Sequence, residues 1–200
     1  MAAPAAFGFR LHTGWAVLVA VAGEPGGLEL LLRRRIELLP PGDSVPRFVY
    51  HEASKLPASQ AAEMIRRAEA ASQEAAGIAV RLALDHLRSR DLVVTAAGTP
   101  SGSRPVSRDL SAVLRSHPMI HTAEGALFQQ AVASACQSCG LDVTSVRERE
   151  VWLNAATRWG VKEAGLRKQV DGLRKSMGSP WGTDQKMATA FALLALRPVS

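Results

Sequence analysis

Residues 7–22, FGFRLHTGWAVLVAVA, constrain the fold more than any other stretch, because they alternate at the period of a β-strand and finish apolar on both sides. The odd positions Phe7, Phe9, Leu11, Thr13, Trp15, Val17, Val19 and Val21 make one nearly unbroken apolar face. The even positions change character partway, from Gly8, Arg10, His12 and Gly14 to Ala16, Leu18 and Ala20. A strand that is apolar on both faces belongs in the middle of a sheet covered on both sides. Residues 7–22 are therefore expected to form one central strand.

The chain that follows supplies the covering. After the turn Gly23-Glu24-Pro25-Gly26-Gly27, residues 28–39 read as a second strand with Leu30, Leu32, Ile36 and Leu38 on one face. Pro40-Pro41-Gly42-Asp43 breaks it, and residues 47–53 read as a short third strand. Residues 59–90 are the clearest helix, with Ser59 as N-cap and Met64, Ala68, Ala71, Ala75, Ile78 and Leu82 on the inward stripe. Residues 92–97 read as a buried strand of the parallel type, and 98–105, rich in Gly, Ser, Thr and Pro, as the loop leaving it. A short helix over 109–116 precedes one opened by Pro118, carrying Leu127 and Ala131 inward and stopped after Cys139 by Gly140. Residues 141–146 form a fifth strand and 150–177 are helical, broken at Gly160, with Leu166, Val170, Leu173 and Met177 as a stripe. Thr183 caps a last helix that buries Met187, Phe191, Leu194 and Ala195. The expectation is an α/β chain folded as a single domain over residues 1–200.

Composition narrows the functional classes. The chain is 47% hydrophobic and 21% charged, which is globular rather than disordered composition. A net charge of +6 favours an anionic partner such as nucleic acid. The longest apolar run, residues 15–22, is far shorter than the roughly 20 residues that cross a bilayer, so no membrane partner is expected. Arg10, this run and Ala20-Val21-Ala22 imitate a secretory leader, but the run is minimal for one. Two cysteines, Cys136 and Cys139, imply no disulfide framework, and a cytoplasmic location is expected.

A three-strand meander followed by helix, strand, helix, strand and helix resembles the ribonuclease H-like fold, a five-stranded mixed sheet with helices on both faces. Thr13-Gly14-Trp15-Ala16, in a strand running on as VLVAV, resembles the opening of Holliday junction resolvases of that superfamily. Thr183-Asp184-Gln185-Lys186-Met187-Ala188 is similar to their last helix. The chain also resembles a group of uncharacterised bacterial proteins with an opening HTGWA, a central SHPMIHTAEG and a closing PWGTDQK, a likeness that implies a fold and no activity. Resemblance to the nucleases implies two divalent metals held by carboxylates from the first strand, from the end of the fourth strand or the first helix, and from the last helix. This sequence departs from that pattern. No Asp or Glu precedes Glu24, the segment Thr95-Ala96-Ala97-Gly98 has none, and only Asp184 stands where the last-helix carboxylate belongs. No metal site is assigned on that pattern. The glycine-rich phosphate turns of the related sugar-kinase-like ATPases lack a counterpart as well.

Four ionisable residues are the candidate catalytic set: His12, Glu124, Asp184 and Lys186. Lys186 is unexpected in the first turn of a helix, where a cation is unfavourable unless compensated. An ion pair between Glu124 and Lys186, about 4 Å or less, would satisfy both and is the geometric test of the set. His117, His121 and Glu124 are spaced by four and three, which puts them on one helix face in a pattern able to bind zinc. The plainer alternative has His117 capping, His121 packed or solvated and Glu124 placed by the helix dipole. Cys136 and Cys139 read as two packed thiols, because fifteen residues of helix hold Cys136 about 22 Å from His121 at about 1.5 Å per residue.

Trp152, Trp159 and Trp181 lie among basic residues, with Arg167, Lys168, Arg174 and Lys175 as the candidate nucleic-acid contacts. The plainer alternative is core tryptophans under a solvated basic face. Three functions follow. The first is a ribonuclease H-like binding module for nucleic acid, lacking the usual metal carboxylates. The second is an enzyme acting on a nucleic acid or phosphate-containing substrate through His12, Glu124, Asp184 and Lys186, with magnesium or manganese only in that case. The third is a structural protein forming a homodimer through its Ala-rich helices.

Overall fold

A computed structural model describes residues 4–39, 45–102 and 104–196. The expected break at Pro40-Pro41-Gly42-Asp43 lies outside the described residues. Five strands form one sheet: β1 (Pro4–His12), β2 (Trp15–Ala22), β3 (Glu29–Glu37), β4 (Val93–Pro100) and β5 (Asp142–Val146), in the order β3-β2-β1-β4-β5. The first three are an antiparallel meander; β4 lies parallel to β1, and β5 parallel to β4. This is the expected topology with the first strand central.

Two segments are assigned differently. Residues 7–22 are not one strand but the hairpin of β1 and β2, turned at Thr13 and Gly14 with Gly14 at φ +77°. The register pairs Phe9 with Leu18 and His12 with Trp15, so an odd residue of β1 shares its face with an even residue of β2. The single odd face is thereby divided. Phe7 and Phe9 join one core with Ala16, Leu18 and Ala20, while Val17, Val19 and Val21 join the other. Alternation continues unbroken through a two-residue turn, and only the glycine marks the reversal.

The expected third strand at 47–53 is instead the helix α1 (Val49–Ala53), which buries Val49, Tyr50 and Ala53. Its β-prone composition is overridden by a tertiary cap, since its first amides are bound by Glu124, 75 residues away. The remaining helices are α2 (Ala58–Arg88), α3 (Leu110–Leu114), α4 (His117–Ser138), α5 (Val151–Arg158), α6 (Glu163–Gly172), α7 (Arg174–Met177) and α8 (Thr183–Ala195). A 3-10 turn, Glu148–Glu150, joins β5 to α5. Asp109 caps α3 through the Ala112 amide at 3.1 Å. Gly140 and Gly160, at φ +77° and +63°, terminate α4 and α5 as expected. The caps of α2 and α8 are Pro57 and Gly182 rather than Ser59 and Thr183.

Helices α1 to α4 cover one face of the sheet and α5, α6 and α8 the other. The inward stripe of α2 is smaller than expected. Ala61, Ile65, Ala68, Ser72, Ala76, Val80, Ala83 and Leu87 are buried, whereas Ile78 and Leu82 are 45% and 57% exposed. Small residues make up most of the buried stripe of α2, while Ile78 and Leu82 face outward. On the opposite face a helix lies close against the sheet. A Cβ at Gly8 would overlap the Ala188 carbonyl and Ala192, and one at Gly98 would overlap the Phe191 carbonyl, so α8 lies directly on the backbones of β1 and β4.

Candidate functional site

The C-terminal ends of β1, β4 and β5 share one edge of the sheet. Even positions of β1 face α8, so beyond Gly8 the side chains of Arg10 and His12 point toward the start of that helix. His12 Nε2 lies 3.0 Å from Asp184 Oδ1, and Arg10 Nε 3.8 Å from the same oxygen. Neither contact has hydrogen-bond geometry, and both nitrogens are buried without a hydrogen-bonded partner. Arg10 Nη1 pairs with Glu148 Oε2 at 2.7 Å. His12 stacks on Trp15 with ring centroids 4.0 Å apart, and the Arg35 guanidinium covers that indole at 3.8 Å. At the end of β4 the buried Thr99 hydroxyl bonds Ser145 Oγ at 2.8 Å.

The other two members of the candidate catalytic set go elsewhere. Lys186 pairs with Asp171 on α6 at 2.8 Å, which compensates the cation in the first turn of α8. Glu124 is buried and accepts the amides of Val49 at 2.8 Å and Tyr50 at 3.0 Å, with His51 Nδ1 at 3.2 Å. The expected Glu124–Lys186 pair is not formed. A carboxylate buried away from water requires such donors, and the start of α1 supplies them. His12 and Asp184 come together as expected; Arg10, Glu148 and His51 are the neighbours that sequence reasoning missed.

Beside Glu148 lies a cleft of about 330 Å³, lined by the end of β4 at Ser101 and Gly102, by His121, Thr122, Gly125 and Gln129 of α4, and by Arg147, Glu148 and Arg149. Glu148 thus belongs to both the Arg10 contact and the cleft. On the far side of His121 three imidazoles meet. Ring centroids of His51, His117 and His121 are 4.4 to 5.6 Å apart, and one nitrogen from each falls within 4.8 Å of the others.

The basic candidates sit on α6 and α7. Arg167 pairs with Glu163 at 2.8 Å and stacks over Trp152 at 4.4 Å; Lys168, Arg174 and Lys175 are exposed. The tryptophans are structural. Trp152 Nε1 points at Met187 Sδ, Trp159 Nε1 donates to the Leu193 carbonyl at 2.8 Å, and Trp181 Nε1 donates to the Val170 carbonyl at 3.0 Å. Cys136 and Cys139 are free thiols at the end of α4, and burial pushes the Cys136 thiol up to about 12. Among the described residues no helix is long and apolar enough to cross a membrane.

No protein-family model matches the chain, and neither does any curated sequence. Among solved structures it is similar to Thermus thermophilus RuvC in complex with a Holliday junction substrate, with 16% identity and a TM-score of 0.51 over 95% of this chain and 90% of that one. A second structure of RuvC from that organism matches at 16% identity and a TM-score of 0.47, covering 95% and 92% of the two chains. The fold is ribonuclease H-like and shares its architecture with that first RuvC structure.

Proposed function

We propose that this chain is a nucleic-acid-binding module on the ribonuclease H-like fold, without the two-metal nuclease centre. The observation that carries the reading is the cleft at the C-terminal edge of the sheet, where exposed Arg147 and Arg149 flank Glu148, the partner of Arg10. The neighbour solved with a Holliday junction substrate shares this architecture over 95% of the chain, which supports a phosphate-bearing ligand. A magnesium pair requires near-octahedral oxygen donors around each ion. Asp184 instead lies beside His12 and Arg10, and Glu148 pairs with the Arg10 guanidinium. The donors present at this edge do not fit two magnesium ions. Lys168, Arg174 and Lys175, with Arg167, extend the cationic surface along α6 and α7.

Fluorescence anisotropy on labelled four-way junction, duplex and single-stranded DNA tests this. Binding is expected at low salt, with reduced affinity in Arg147→Ala/Arg149→Ala. No binding to any of the three DNAs removes the reading.

The second reading, an enzyme, is favoured by the approach of His12 Nε2 to Asp184 Oδ1, 3.0 Å apart at the C-terminal edge of the sheet. Strand cleavage that depends on magnesium or manganese and disappears in His12→Ala would replace the binding module with a nuclease. For the homodimer, the exposed Ile78 and Leu82 of α2 are the proposed contact. A monomer in sedimentation at high protein concentration removes it.

A further inference from the structure

We propose that His51, His117 and His121 bind one divalent transition-metal ion of the zinc class, independently of any nucleic-acid function. His117 and His121 are one turn apart at the start of α4, the spacing at which two imidazoles share a face, and α1 brings His51 against them. All ring contacts of His117 and His121 are with imidazoles of this cluster, and both residues are exposed, so hydrophobic packing does not account for them.

Behind His51 stands Glu124, 4% exposed. A carboxylate already accepting two main-chain amides accepts the third bond too, so His51 Nδ1 carries the proton and Nε2 is left with its lone pair for a metal. Carboxylate, histidine and metal in that order are the usual support of a zinc imidazole. Zn–N bonds of about 2.0–2.1 Å in a tetrahedron place donor nitrogens about 3.4 Å apart. From a present limit of 4.8 Å the rings have little more than an ångström to close, within the reach of exposed side chains. Three protein ligands leave the fourth position open. His121 also lines the cleft with Arg147 and Arg149, and water or an anionic oxygen completes the sphere.

The test uses the full chain stripped of metal with a chelator and titrated with Zn²⁺ against a chromophoric competitor, then with Co²⁺ for its visible spectrum. One equivalent bound with micromolar affinity or tighter, the intense bands of tetrahedral Co²⁺, and a raised melting temperature are expected. His117→Ala and His121→Ala, at exposed positions, should fold as the parent does and lose at least tenfold in affinity. Glu124→Gln should weaken binding by about 10–100-fold and shift the Co²⁺ bands, with hydrogen exchange of the Val49 and Tyr50 amides in the metal-free variant separating this from loss of the α1 cap. Absence of binding in the parent chain overturns the proposal. Binding that survives in the His117→Ala/His121→Ala double variant places the ion elsewhere, at the two cysteines for instance, and overturns it equally.

Discussion

Tyr50 is the single tyrosine of the chain, and it sits where α1 meets Glu124. Burial first, then the charges of Glu69 and Glu124, push its phenol up to about 12. Its ultraviolet titration should therefore have a midpoint near 12 in the folded protein and near 10 once unfolded. A phenol whose ionisation is delayed by folding contributes fully below about pH 10, and that contribution is lost as pH rises through the folded value. A folded-state midpoint at 10 would mean that Tyr50 is not enclosed. Ser72 is the reverse case, a buried hydroxyl without a partner. Ser72→Ala should raise unfolding stability by about 1 kcal/mol in urea titration, because it removes a desolvated group and leaves almost no void. At this scale His12 and Asp184 were legible, since strand parity and the start of the last helix both point at the same sheet edge. Arg10 has the same parity as His12. Glu148 could not be placed in advance, because its position follows from a 3-10 turn that only the packed sheet defines.

Among the elements, the strands and long helices follow from period and punctuation, and the failures have tertiary causes. The β1–β2 turn hid inside continuous alternation, and α1 looks like a strand because its cap comes from α4. Misplacing α1 also hid His51, and with it the third imidazole. Glu124→Ala should leave the amides of Val49 and Tyr50 without an acceptor and lower stability by about 2–4 kcal/mol, with their hydrogen exchange accelerated ahead of the core. Exchange rates unchanged from the parent would mean that another group caps α1. For α8 the critical contacts are glycines. Gly8→Ala or Gly98→Ala should cost about 3 kcal/mol in denaturant unfolding, as the methyl meets backbone that cannot move aside. Losses below about 1 kcal/mol would show that α8 can lift from the sheet.

For the molecule as a whole, the excess of cations makes salt the discriminating variable. Log affinity for duplex DNA should fall with log salt by roughly 0.9 per phosphate neutralised. Replacing Arg167, Lys168, Arg174 and Lys175 together should flatten that slope, and Arg167, already engaged by Glu163, should contribute least. An unchanged slope places the phosphate track at the cleft alone.

The bond from Glu124 to α1 also orders events in time. A chain made from its N-terminus at about 5–20 residues per second exposes Val49 roughly 4–15 s before Glu124 follows it. Through that interval α1 lacks the acceptor for its first amides, while the β1–β2 hairpin already has both its strands. All three strands of the meander are thus synthesised first, and the edge where the three histidines meet is assembled only when α4 has been synthesised.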